Sequence, residues 1–152
     1  MSVPREHRPQ GLEDCTCLAV RQAARHVTQF YDQYLAPAGL RTTQFSILAR
    51  LNRGTPITIN GLAAEMVMDR TTMGRNILPL EREGLVAIVP SASDRRSKEL
   101  RLTDAGRARL RSAFDGWTRA QARFEATFGA NRSAELRGLL RAAAATDLGI
   151  AN

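Results

Sequence analysis

The chain has 152 residues, enough for one domain with a real core, and its 22 Lys and Arg exceed its 15 Asp and Glu by a formal charge of +7. With a pI of about 10.9, the expected partner is a polyanion. No apolar run approaches the roughly 18 residues of a membrane span, so no membrane partner is expected. The polar start, residues 1–10, lacks a signal-peptide core, so a cytoplasmic protein with reduced cysteines is expected.

Residues 1–13 hold too few apolar side chains to pack and read as a flexible arm. From about 15 to 35 a helix is predicted, with Cys17, Val20, Ala24, Val27, Tyr31 and Tyr34 in steps of three and four along one stripe. Pro37 and Gly39 end it. A second helix, about 42–52, carries Phe45, Leu48 and Leu51 and stops at Gly54-Thr55-Pro56. A short third one, about 59–66, supplies Leu62, Ala63 and Met66.

The most informative stretch follows. Asp69 is an N-cap, and behind it Arg70, Thr71, Thr72, Arg75 and Asn76 lie opposite the apolar Met73, Ile77 and Leu80. Pro79 lacks an amide and crowds the Arg75 carbonyl, which predicts a kink. Gly84 stops the helix, residues 85–90 read as a strand, Asp94-Arg95-Arg96-Ser97-Lys98 as a tight basic loop, and residues 99–102 as a second strand. A helix followed by a strand, a basic loop and another strand is the order of a winged helix-turn-helix, whose helix end and loop tip contact one duplex. Thr103-Asp104 then caps a long helix with Leu110, Phe114, Trp117, Phe124 and Phe128 on its stripe. Gly129-Ala130-Asn131 breaks it, and a last helix spans about 133–146 with Leu136, Leu139, Leu140 and Ala143. A stripe that long on a terminal helix needs cover, which a second copy across a two-fold axis supplies; an intramolecular helical cap is the competing reading.

The expected architecture is therefore mainly α with a small β-wing. One domain, 1–152, holds a winged helix-turn-helix at about 42–106, flanked by dimerisation helices at about 15–36 and 107–147. With His7 and His26 the only histidines and no nucleophile elbow or phosphate loop, no enzyme is expected. Cys15, Cys17 and His26 do not converge on a metal ion from one helix, and neither metal nor cofactor is expected.

Two segments in order, 68–86 and 94–106, resemble the MarR (multiple antibiotic resistance regulator) family of transcription regulators. The second is similar to the family's wing signature, Asp-x-Arg followed by Leu-Thr-x-x-Gly. The resemblance implies a dimer on an inverted-repeat operator in double-stranded DNA, with a recognition helix in the major groove. Thr71, Thr72 and Arg75 match its exposed positions, Arg96 matches the arginine placed in the minor groove, and Asp94 shapes the wing. Arg70, Asn76, Arg95 and Lys98 complete the expected DNA contacts. Gly74 replaces a commoner hydroxyl residue. Gly61 stands where a capping glutamate is common, which weakens that helix start.

The resemblance further implies repression relieved by a small effector, commonly an aromatic acid, in the cleft between the dimerisation and DNA-binding parts. Arg25, His26, Tyr31 and Tyr34 are the candidate lining residues. Residues 17–31 are also similar to the family's organic-hydroperoxide-sensing branch, in which Cys17 matches the reactive cysteine and Tyr31 a tyrosine that contacts it. Arg21 replaces a tyrosine of that branch, and a cation one turn from the thiol favours thiolate. The competing reading makes Cys17 a small core hydrophobe. A nonspecific basic architectural protein is the alternative of another class.

Overall fold

The computed structural model describes residues 11–150. Of the predicted arm, residues 1–10 lie outside that range, and Leu12–Asp14 forms an exposed 3-10 turn. Helix α1 (Thr16–Leu35) starts from Cys15, whose extended backbone makes it the N-cap and whose Sγ accepts the Leu18 amide at 3.4 Å. A 3-10 turn, Ala36–Ala38, leads through Gly39 (φ 71°) into α2 (Thr42–Leu51). Two amides at that entrance are satisfied by side chains. Asp32 Oδ1 accepts both the amide and the hydroxyl of Thr42 at 2.7 Å, and Gln44 Oε1 accepts the Arg41 amide at 3.0 Å. The first of these ties α2 to α1.

Strand β1 (Ile57–Thr58), too short to give a periodic signal in sequence, precedes α3 (Ile59–Glu65). The start of α3 keeps its cap despite Gly61, because the Thr58 hydroxyl accepts the Gly61 amide at 3.0 Å. Helix α4 (Arg70–Arg82) is capped as expected, with Asp69 accepting the Thr72 amide at 2.8 Å. Its helical assignment passes through Pro79, so the expected kink does not interrupt it. Strands β2 (Val86–Pro90) and β3 (Lys98–Leu102) pair antiparallel, Ile88 opposite Leu100, and β1 joins the other edge of β3 to give the order β1-β3-β2.

Helix α5 (Asp104–Phe128) begins at Thr103, whose hydroxyl accepts the Gly106 amide at 3.0 Å and donates to the Gly84 carbonyl at 2.6 Å. Helix α6 (Ala130–Ala145) starts three residues earlier than the expected 133. Gly129 alone, at φ 103°, makes the break, and Ala130 and Asn131 continue as helix.

The core gathers Leu35, Ile47, Leu48, Leu62, Met73, Ile77, Leu80 and Val86, all 2% exposed or less. Around it α2, α3, α4 and the sheet form the winged helix. The long helix departs from expectation. Its buried face is Gly106, Leu110, Ala113, Gly116 and Ala120, a line of mostly small residues. A Cβ at Gly116 would collide with the Tyr34 carbonyl, so glycine is what lets α1 lie directly on α5. The large aromatics sit to the side: Trp117, Phe124 and Phe128 are half-buried, and only Phe114, at 56%, is open to solvent. Trp117 stacks on Phe45 with 5.9 Å between ring centroids. Most of the stripe is therefore covered within one chain. Besides Phe114, Val20 on α1 and Leu139 and Leu140 on α6 are exposed, as are Leu12, Val67, Leu78, Leu148 and Ile150 elsewhere. No described helix is long and apolar enough to cross a membrane.

Candidate nucleic-acid interface and regulatory cavity

Two groups of cations stand on the winged helix. Arg70, Thr71, Thr72 and Arg75 are exposed on the first two turns of α4. Opposite them Met73, Ile77 and Leu80 anchor the helix in the core. Among the described residues Arg70 and Arg75 make no ion pair. Thr72 has spent its hydroxyl proton on Asp69 at 2.6 Å, and those bonds hold the Asp69 carboxyl below its ordinary value of 3.8. The cap is thus an anion at neutral pH, suited to a helix N-terminus. Asn76 is half-buried, its amide turned back onto the Thr72 carbonyl at 2.9 Å and the Met68 sulfur at 3.8 Å. It braces the helix before it can reach outward.

The second group is the wing. Asp94 Oδ1 accepts the Arg96 amide at 3.0 Å, and the Asp94 carbonyl accepts the Ser97 amide at 3.0 Å. This turn projects Arg95, Arg96 and Lys98 into solvent, and none of the three is in an ion pair among the described residues. The base of the wing carries a device that sequence reading missed. Glu99 is 9% exposed and accepts the Ser91 hydroxyl at 2.6 Å, while Ser91 also meets Ser93 Oγ at 3.0 Å. The strand reading of residues 99–102 gave no signal for a buried glutamate whose serine partner lies on the other side of the loop.

A cavity of about 410 Å³ opens between α1, α2, α5 and α6, floored by Val27, Phe45, Trp117, Phe124 and Leu136. Of the four candidate lining residues, Tyr31 is in its wall and the others are not. His26 lines a different hollow with Phe30 and Phe128, Tyr34 packs on Phe30 at 5.2 Å, and Arg25 lines neither. The helical period explains the split, since Val20, Ala24, Val27 and Tyr31 share one face of α1 while His26 and Phe30 point elsewhere. Tyr31 donates to Gln121 Oε1 at 2.6 Å. Gln121 Nε2 donates to Glu125 at 2.8 Å, and Arg137 Nη1 to the same carboxylate oxygen at 3.1 Å. This chain joins α1, α5 and α6. Gln121, then Arg137, hold Glu125 below its ordinary 4.5, while burial, then Glu125, pushes Tyr31 above 10.0.

The cysteines also depart from expectation. Cys17 is exposed, not part of the core, and Cys15 is half-buried. Tyr31 lies fourteen residues along the same helix, about 21 Å away, so one chain cannot bring it to Cys17.

The model of the MarR family matches residues 40–98, from the entrance of α2 to the first residue of β3. The transcriptional regulator MosR of M. tuberculosis, solved in complex with DNA, is 39% identical, over 89% of this chain and 100% of that one, with a TM-score of 0.75. The chain belongs to the MarR family. Transcriptional repressor CouR, bound to a 23-mer DNA duplex, is 29% identical over 91% and 99% of the two chains with a TM-score of 0.78. CouR from Rhodococcus jostii RHA1 has also been solved with p-coumaroyl-CoA, at 25% identity over 92% and 99% and a TM-score of 0.75. The transcriptional activatory protein BadR of Rhodopseudomonas palustris is 36% identical over 72 residues, 45% of this chain but only 41% of that protein. In this MarR-family chain the matched segment includes every candidate DNA-contacting residue, whereas the cavity draws on α1, α5 and α6, which lie outside it.

Proposed function

We propose that the chain is a homodimeric, sequence-specific DNA-binding regulator, acting as a repressor that a small molecule releases. The observation that carries this reading is the pair of cation groups without ion pairs among the described residues, Arg70 and Arg75 on α4 and Arg95, Arg96 and Lys98 on the wing, both set on a rigid core. A helix end reads base edges in the major groove, and a wing arginine suits a narrow minor groove. The DNA-bound states of MosR and CouR support it. Pairing of two chains is supported by the bare apolar face at the end of α6, Leu139 above all, since the exposed Val20 and Leu140 also line the cavity. The cavity supports effector control, because its wall includes α2, which packs on α4, so filling it can move the recognition helix relative to α1 and α5. The test is fluorescence anisotropy with a selected operator and a scrambled duplex at one salt concentration. Wild type should prefer the operator by at least a hundredfold. Equal affinity for both duplexes would mean a nonspecific architectural role instead.

A second reading, oxidation of Cys17, is favoured by that thiol's exposure on the face of α1 that a second chain would cover, with Arg21 one turn on. Organic hydroperoxide should then release wild type and the Cys15→Ser variant from the operator, but not Cys17→Ser. Release of all three alike would exclude it.

A further inference from the structure

The cavity's polar groups decide what charge a ligand can carry. Of the five hydroxyls in its wall, four have each given their single proton to the protein: Tyr31 to Gln121 at 2.6 Å, Thr42 to Asp32 at 2.7 Å, Ser46 to the Thr42 carbonyl at 3.0 Å and Ser133 to the Gly129 carbonyl at 2.7 Å. Thr28 alone keeps its proton among the described residues. The Gln121 orientation follows from chemistry, since its amide N–H must face the Glu125 carboxylate. What those four offer a ligand is oxygen lone pairs. The only guanidinium in the wall, Arg137, is already neutralised by Glu125 at 3.1 Å. A carboxylate entering here would lose water, face four acceptor oxygens against the single free hydroxyl donor of Thr28 and find no uncompensated cation. An uncharged hydroxyl or amine would find acceptors, and an aromatic ring would find Trp117, Phe45 and Phe124.

We propose that this cavity selects an uncharged aromatic molecule bearing a hydrogen-bond donor, such as a phenol, and discriminates against the corresponding aromatic acid. The inference rests on the effector reading above and specifies the class of its ligand. Tyr31 is the central acceptor, and Glu125 sets selectivity through Arg137 without lining the cavity.

The experiment is isothermal titration calorimetry of the full chain at pH 7 with 4-ethylphenol and 4-ethylbenzoate, which differ little in shape and by one charge. Ethylphenol should bind at least tenfold tighter. Tyr31→Phe should weaken it about fivefold, the scale of one hydrogen bond. Glu125→Gln, which leaves Arg137 uncompensated, should raise ethylbenzoate affinity and close or reverse the gap. Wild type binding ethylbenzoate as tightly as ethylphenol would overturn the charge assignment while leaving the cavity as an effector site. An unchanged ratio in Glu125→Gln would likewise overturn it. If neither compound binds any variant, the cavity is filled in solution, for example by helices of a second copy, and the effector reading falls with the proposal.

Discussion

The two halves of this molecule treat their apolar and charged groups in opposite ways. In the winged helix most large apolar side chains are buried, Val67 and Leu78 apart, and the candidate DNA-contacting cations make no ion pair among the described residues. In the α1, α5 and α6 half, aromatics are half-buried, apolar residues stand exposed at the helix ends, and Arg137 and Glu125 are tied to each other beside a cavity. The first half is a finished core with a surface free to meet phosphate. The second is an unfinished one, open to the second chain and the ligand proposed above.

The comparison breaks most sharply under truncation of apolar side chains. Leu48→Ala, in the winged-helix core, should cost about 2–5 kcal/mol in urea unfolding. Leu139→Ala, on the bare face of α6, should change the stability of an isolated chain by less than about 0.5 kcal/mol, while sedimentation records a weaker dimer. If Leu139→Ala leaves the association constant unchanged, that face is not where two chains meet.

Gly116→Val should come next, at about 1–3 kcal/mol, because any Cβ there pushes α1 off α5 and opens the cavity from behind. Denaturant unfolding reads the loss. A neutral result would mean the two helices are not held at the contact distance described.

How much of this was legible follows the same division. Every winged-helix element except β1 could be read from the chain, because caps such as Asp69 and Thr103, the stop at Gly84 and the apolar periods are local signals. The α1–α5 contact was not legible. Apolar periodicity drew attention to Phe114 and Trp117, whereas the face that packs is the quiet one of Gly116 and Ala120, where closeness rather than hydrophobicity is the message. The cavity was only partly legible for a related reason. Tyr31 lay on the predicted stripe, but Gln121 and Arg137 join it only through tertiary packing, and His26 was chosen for its chemistry rather than its face. Among the DNA-contact candidates, Asn76 looked free in sequence because its back-bond to Thr72 is a choice of rotamer.

Within the winged helix, Arg75→Ala should cost about 1–3 kcal/mol on the preferred site if it contacts guanine in bidentate fashion, and should flatten discrimination at that base. Arg96→Ala should weaken binding to A/T-flanked sites and leave G/C-flanked ones nearly unchanged. Equal losses on both flanks would remove Arg96 from the minor groove.

The smallest effect expected is that of pH. Glu65, hydrogen-bonded by Arg50 between α2 and α3, and Glu125 both have carboxyls held below the ordinary 4.5. The folded chain then binds fewer protons than the unfolded one near that value, so each contribution is complete above it and is lost as pH falls through the lowered folded value. Urea midpoints should decline modestly from roughly pH 5 to pH 3. Glu65→Gln should reduce that slope through the winged helix and Glu125→Gln through the helical half. A slope unaltered by either would deny both pairs a role.

The central claim, a symmetric dimer reading a defined operator through α4 and the wing, is tested most directly by selection from a random duplex library. Wild type should enrich an inverted repeat whose half-sites lie about 10 base pairs apart, one turn of the duplex, and the Arg75→Ala, Arg96→Ala double variant should enrich none. Recovery of a single unrepeated site, of no consensus, or of the same repeat by the double variant would contradict it.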